Sequence, residues 1–367
     1  MARIIFTFLV FLARFLYRLS ITPSILYNML ESNIFIFWPY LSFKKAFNIF
    51  RAHFSLFISS LLKKPLVWGM PYTLNIEVTS RCNLHCRECP VGMGILKRPS
   101  GDMGFEEFQA YIEPLKKYLV YLILYFQGEP FLNKDLLEMV RYARDNRIYT
   151  MVSTNGHFFN TDEACQQVLD SGLGSLVLSM DGITEETYLT YRRDGDFNRM
   201  QEGISRLARL KKEQNRKSPK LFLQFLVLKH NEHEIRQVRE FGRVLGVDRV
   251  LLKSAQVYNF DEAEDILPAD PRYRRYEKGP GGTWQLKGRL KNRCHRLWVN
   301  SLVTWDGTVV PCCFDKDAEH PFGSLKKESF NRIWKNRRYS LFRLKVLQDR
   351  ARIPICTNCT EGIRIYD

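Results

Sequence analysis

The chain has 367 residues, of which 45% are hydrophobic and 26% charged, enough apolar material for a real core and too much for a disordered tail. Its net charge of +16 is uneven: residues 1–70 hold eight bases against one acid, Glu31, and residues 326–352 hold ten against two, so a uniformly basic nucleic-acid coat is excluded. The nine cysteines are too sparse for a disulfide-built scaffold, and their grouping as CxxxCxxC and CxxC fits metal or redox work in a reducing compartment, the cytoplasm.

The N-terminal 70 residues form an amphipathic helical region. "IIFTFLVFLA" (4–13) is too short to span a bilayer, which needs roughly 20 apolar residues, and Arg14 and Arg18 interrupt its continuation. In "KKAFNIFRAHFSLFISSLLKK" (44–64), Phe47, Phe50, Phe54, Phe57 and Leu61 recur at helical spacing, with Asn48, Arg51, Ser55 and Ser59 opposite. Aromatics flanked by lysine and arginine suit a helix lying on an anionic membrane surface; the alternative is a stripe packed on the protein's own core.

From residue 71 the pattern repeats. Apolar strands are expected at 73–78, 121–126, 149–154, 175–180, 221–228 and 249–254, separated by helices such as Asn133 to Asp145, with Asn133 as its N-cap, and Asn231 to Gly246. Continuous apolar strands between helices predict an α/β fold with a parallel sheet, either open or curled into a partial (β/α)6 barrel over 71–260. Reactive groups then sit at the carboxyl ends of the strands. In "EACQQVL" the thiol of Cys165 belongs to a buried apolar stripe. Residues 261–290, ending in "GPGG", read as a linker and turn, and 291–367 as a smaller terminal domain.

The polar motifs fall on one rim of that scaffold. "TSRCNLHCREC" follows the first strand, "QGEP" (127–130) the second, "TNG" (154–156) the third and "SMDG" (179–182) the fourth. Three thiols so close together, with no local fourth, leave a metal centre with an open coordination position. His85, inside the loop, reads as satisfying local backbone.

These motifs in this order resemble the radical S-adenosylmethionine (SAM) superfamily over residues 72–260, with Cys82, Cys86 and Cys89 as the CxxxCxxC and Gln127-Gly128-Glu129-Pro130 in place of the usual GGEP. The resemblance implies a [4Fe-4S] cluster on the three thiolates, whose fourth iron is chelated by SAM. It also implies a reducing donor such as flavodoxin or ferredoxin, and cleavage of SAM to a 5'-deoxyadenosyl radical that abstracts hydrogen from a substrate. By the same resemblance Gly128 and Glu129 receive the SAM ammonium, Ser179 and Asp181 its ribose or carboxylate, and Arg192 a carboxylate. The family often has an aromatic residue just before the third cysteine; here it is Glu88.

Cys294, Cys312, Cys356 and Cys359, with a hairpin expected about Asp306 and Gly307, resemble the SPASM/Twitch extension in its single-cluster form and imply one auxiliary [4Fe-4S] cluster, with Cys313 spare. A zinc ribbon on the same four thiols is the alternative. Such an auxiliary cluster implies an oxidative modification, of a peptide or protein in most enzymes of this kind. A membrane-associated or amphiphilic small molecule is the second reading, and a zinc-stapled RNA-binding module the third. A nucleic-acid partner is not expected.

Overall fold

The computed structural model describes residues 34–363, so the apolar run at 4–13 and its arginines lie outside the described residues. All six expected strands form: β1 (Thr73–Ile76), β2 (Tyr121–Ile123), β3 (Tyr149–Thr154), β4 (Ser175–Ser179), β5 (Lys220–Val227) and β6 (Arg249–Ser254). Each pairs in parallel with its sequence neighbour. A helix α1 (Phe43–Leu62) precedes them. Helices α2 (Phe105–Ile112), α3 (Leu136–Asp145), α4 (Asp162–Ser171), α5 (Glu185–Tyr191), α6 (Phe197–Glu213) and α7 (Gln237–Val244) lie between them. Their starts follow from capping chemistry: Thr161 Oγ1 accepts from the Ala164 N–H at α4, and Asp196 Oδ1 from Arg199 N–H at α6.

Two helix starts differ from expectation. Asn133 is not an N-cap; it follows a 3-10 turn at Pro130–Leu132, and its amide donates to the Val78 and Met103 carbonyls at 2.7 and 2.9 Å. Its Oδ1 accepts from the Asp135 N–H at 2.8 Å, so the side chain ties the helix start, which is capped two residues later, to distant backbone. The segment from Asn231 splits into a 3-10 turn at Glu232–Glu234 and then α7.

The rest of the chain comprises α8 (Ala263–Ile266), a hairpin of β7 (Tyr276–Lys278) and β8 (Trp284–Leu286), α9 (Arg296–Val299), β9 (Leu302–Val303), β10 (Thr308–Val310), β11 (Gly323–Ser324), α10 (Phe330–Lys335), α11 (Arg337–Asp349) and α12 (Pro354–Thr357). The expected hairpin is present, with β9 and β10 antiparallel and Gly307 at φ +83° in the turn. β9 also pairs in parallel with β1, Asn75 opposite Leu302 and Ile76 opposite Val303, so the terminal region continues the barrel sheet. One apolar core runs through both, from Leu74, Leu122 and Leu223 to Trp298, Trp334 and Tyr339.

Helix α1 has an inward face that is small and polar. Asn48 exchanges two hydrogen bonds with the Met70 backbone, and His53 Nε2 lies 3.0 Å from the Tyr72 hydroxyl. Ser59 meets the Leu66 backbone, and Ala52 packs so closely on Gly69 that a side chain there would overlap its backbone at 2.7 Å. The aromatics face outward: Phe43, Phe47, Phe50, Phe54 and Trp68 form a ladder of neighbouring rings, with Phe43 71% and Leu61 63% exposed. Trp298 and Trp334 clasp the connector that follows, donating to the Leu66 and Gly69 carbonyls. No helix among the described residues is long and apolar enough to cross a membrane.

Candidate active site

The cysteine loop leaves the carboxyl end of β1 and is fixed at both flanks. Ser80 N–H donates to Gly101, while the His85 and Arg87 N–H groups donate to the carbonyls of Arg193 and Tyr191 at the end of α5. Cys86 is buried, and Cys82 and Cys89 are partly so. Burial pushes the Cys82 thiol up to about 11, and the negative charges of Glu129, Cys86 and Cys89 push the same way. Burial also raises Cys86, opposed by Arg192, whose Nη1 lies 3.6 Å from its sulfur. Thiols in such surroundings need a cationic centre to hold them as thiolates, which iron supplies.

Arg192 is held in turn. Its Nε and Nη2 meet Asp181 Oδ2 at 2.7 and 2.6 Å; Asp181 is fully buried, and its other oxygen accepts from Leu226 N–H. Asn231 completes the support by donating to the Asp181 carbonyl. Glu129 is buried, and burial raises its carboxyl above the usual range against three donors: Asn155 N–H, Phe131 N–H and the Thr154 hydroxyl. The flagged "TNG" motif is therefore the cradle of the "QGEP" carboxylate. Gly128, at φ +76°, faces the Arg81 carbonyl so closely that a Cβ would lie 2.6 Å from it, so only glycine fits this approach. Ser179 lies 3.3 Å from Ser153 between adjacent strands. His85 pairs with Asp194 at the surface.

Several contributors were not singled out in the sequence. Glu77, fully buried, accepts both terminal nitrogens of Arg98 and the Trp305 N–H, tying β1 to the loop after Cys89 and to the β9–β10 turn. A carboxylate inside the apolar run "TLNIEV" was the available signal. Residues 255–286, including the expected linker, pack Val257, Ala263, Ile266 and Tyr276 against Leu84 and Cys86, roofing the cysteine loop. Lys316 reaches the same roof, its ammonium 4.4 Å from the centre of the Tyr258 ring.

The second thiol group gathers from α9, β10 and α12. Burial pushes Cys294 up to about 12 and Cys356 to about 11, and also raises Cys312 and Cys359. Cys312 feels the charges of Cys313, Cys294 and Cys359; Tyr125 feels that of Cys313, and Arg296 feels both. Arg350, almost fully buried, donates to Cys359 Sγ at 3.1 Å and keeps an unpartnered Nε, which suits an anionic cluster held by thiolates. Tyr276 bonds Asn358, so the roof over the first thiol group is fastened beside the second. Among the described residues no three Cys, His, Asp or Glu side chains converge as they would on one metal ion; a four-iron cluster instead spreads its thiolates over separate irons. Cys165 is buried in α4 and remote from this chemistry, as expected.

Residues 76–242 match the radical SAM superfamily, and residues 294–360 match the SPASM iron-sulfur cluster-binding domain. The tungsten-containing aldehyde ferredoxin oxidoreductase cofactor-modifying protein of Pyrococcus furiosus is 24% identical over 313 residues, covering 78% of this chain and 86% of that protein. The Fe-coproporphyrin III synthase of Methanosarcina barkeri is 29% identical over 314 residues, 74% of each chain. The mycofactocin maturase MftC of Mycobacterium tuberculosis is 26% identical over 306 residues, 79% of this chain and 75% of that one. In fold, Streptococcus suis SuiB bound to S-adenosylmethionine superposes with a TM-score of 0.58 at 12% identity, covering 76% of this chain and 68% of that one.

Proposed function

Because the chain belongs to the radical SAM superfamily and ends in an iron-sulfur cluster-binding domain, we propose that it oxidatively modifies a peptide or protein. The observation that carries this reading is the common roof: residues 255–286 cover the Cys82–Cys86–Cys89 loop and are fastened beside Cys356 and Cys359. A roof that packs on the first thiol group and is fastened beside the second suits a substrate that loses a hydrogen atom at one and an electron towards the other. The maturase relative supports a peptide, while the synthase relative supports a small molecule.

When bound, the first cluster with SAM supplies the hydrogen-abstracting radical, and the second supplies a one-electron acceptor. The chain's own residues then have these roles. Cys82, Cys86 and Cys89 hold the first cluster; Cys294, Cys312, Cys356 and Cys359 hold the second. Glu129 has both carboxylate oxygens taken by three donors, so the backbone around Gly128 and Glu129 would receive the SAM ammonium while the carboxylate holds that loop in place. Ser179, whose hydroxyl meets that of Ser153, would contact the ribose. Asp181 acts as a positioning residue, because its oxygens are taken by Arg192 and Leu226. Arg192 remains the cation beside the open position. The roof excludes water from the radical, and an acidic one-electron carrier such as flavodoxin or ferredoxin supplies the reducing electron.

A second reading, an amphiphilic substrate drawn from a membrane surface, is favoured by α1, whose polar face packs inward and whose rings face solvent beside Lys44, Arg51, Lys63 and Lys64.

The test is anaerobic incubation of reduced protein with SAM. Cys86→Ala is expected to abolish 5'-deoxyadenosine formation, because each thiolate fixes one iron of the open cluster; undiminished cleavage in this variant sinks the proposal.

A further inference from the structure

A cavity of about 200 Å³ lies between α1 and the segment carrying Cys294. One wall is apolar: Leu56 lies at its buried end, followed by Phe57 and the exposed Leu61. The other wall is cationic, with Lys291 and Arg350 beside Cys294. Glu361 is the acid of this lining, and it is committed to Arg296 at 2.7 Å and His295 at 2.8 Å. Arg350 is committed too, to Cys359 and to backbone carbonyls. Lys291 has no acidic partner among the described residues and is exposed. Of the four terminal thiols only Cys294 lines the space.

We infer that this cavity binds a single-chain amphiphile with an anionic head, a carboxylate or phosphate that meets Lys291 while its chain lies along Phe57 and Leu61. An apolar wall opposite an unpaired cation is what that chemistry requires: burial for methylenes and a charge-assisted bond for the head. Sites that engulf a drug-sized ligand run to about 300–1,000 Å³. This smaller space takes the head and first methylenes, and the rest of the chain leaves past Leu61 onto the aromatic ladder of α1. The inference rests on the proposed cluster at Cys294 only for a spectroscopic readout, and on the membrane reading of α1 only for the ligand's source.

The experiment titrates full-length, cluster-loaded protein with oleate below its micelle concentration, followed by native mass spectrometry and by electron paramagnetic resonance of the reduced protein. One oleate per chain is expected, with oleyl alcohol at least tenfold weaker and a change in the signal of the second cluster. Lys291→Glu should weaken oleate about tenfold, and Ser60→Trp, which fills the cavity, should abolish binding with iron content unchanged. No binding, equal binding of the alcohol, or equal binding by both variants overturns the inference. Displacement of oleate by phosphatidylglycerol vesicles but not phosphatidylcholine vesicles assigns the head to a lipid; displacement by neither assigns it to a free carboxylate. If vesicle flotation fails while oleate binds, the membrane reading falls and the cavity stands; the converse removes the cavity alone.

Discussion

At the scale of single residues, Cys312 and Cys313 divide the work of the terminal hairpin. Both lie beyond β10, where the Asp315 N–H closes a turn on the Cys312 carbonyl, so their surroundings rather than strand alternation tell them apart. Cys312 feels the charges of Cys313, Cys294 and Cys359, whereas Tyr125 feels Cys313; Arg296 feels both thiols. Cys312→Ala should therefore lose about half of the roughly eight irons that two four-iron clusters carry, while Cys313→Ala keeps them. Iron and sulfide counts on the two purified variants decide it, and retention in both would mean that either thiol can serve. The cysteines, Glu129 and Gly128 were legible because thiolate spacing and a turn motif are local. Asn133 and Asn231 were not, because their value lies in bonds to backbone far along the chain, such as Asn133 to Val78; the partners of Glu77, Arg98 and Trp305, are distant in sequence too.

At the scale of elements, α1 shows why a periodic pattern fixes a face without fixing its direction. The stripe of Phe47, Phe50, Phe54, Phe57 and Leu61 is helical as expected, but Asn48, His53, Ser55 and Ser59 are the buried side, satisfied by the connector and by their own helix. Removing residues 1–70 would strip Trp298 and Trp334 of their acceptors, so the membrane test uses substitutions. Phe43→Asp with Phe47→Asp should abolish co-flotation with anionic vesicles and leave the thermal midpoint within a degree or two, since both rings are exposed. Wild-type flotation should weaken with added salt. Undiminished flotation of the double variant removes α1 from any membrane contact.

The same inward face carries a pH dependence. Burial holds His53 at about 4, against an ordinary value of 6.5, and its Nδ1 has no partner. The unfolded chain therefore binds a proton below pH 6.5 that the folded chain refuses, so this contribution is complete above pH 6.5 and is lost as the pH falls towards 4. At pH 5.5 the loss is about 1.4 kcal/mol. The fall in Tm between pH 7 and 5.5 should be smaller in His53→Gln than in wild type by about 2 °C. Equal falls would show that His53 is protonated in the folded protein.

At the scale of the whole molecule, the six strands were legible because each parallel strand is an apolar run bounded by helices, and β3 and β6 match their expected limits. The pairing of β9 with β1 was not, since nothing in a two-residue strand announces a partner some 230 positions earlier. A consequence concerns synthesis. The chain leaves the ribosome amino end first, and β1 gains its β2 partner at 121–123 long before its other edge is covered at 302–303. Until then Asn75 and Glu77 N–H groups, which later bond Ser301 and Val303, line an open edge able to recruit another nascent chain. A chain stopped at residue 290 should therefore be recovered mainly as aggregate, as sedimentation after expression would show. A soluble, monomeric fragment of that length would mean that the barrel closes its own edge. The first cluster's loop hangs directly from that strand, so its metal is best inserted after the last helix has been made, and assembly of the two clusters becomes a late, shared event in the life of the polypeptide.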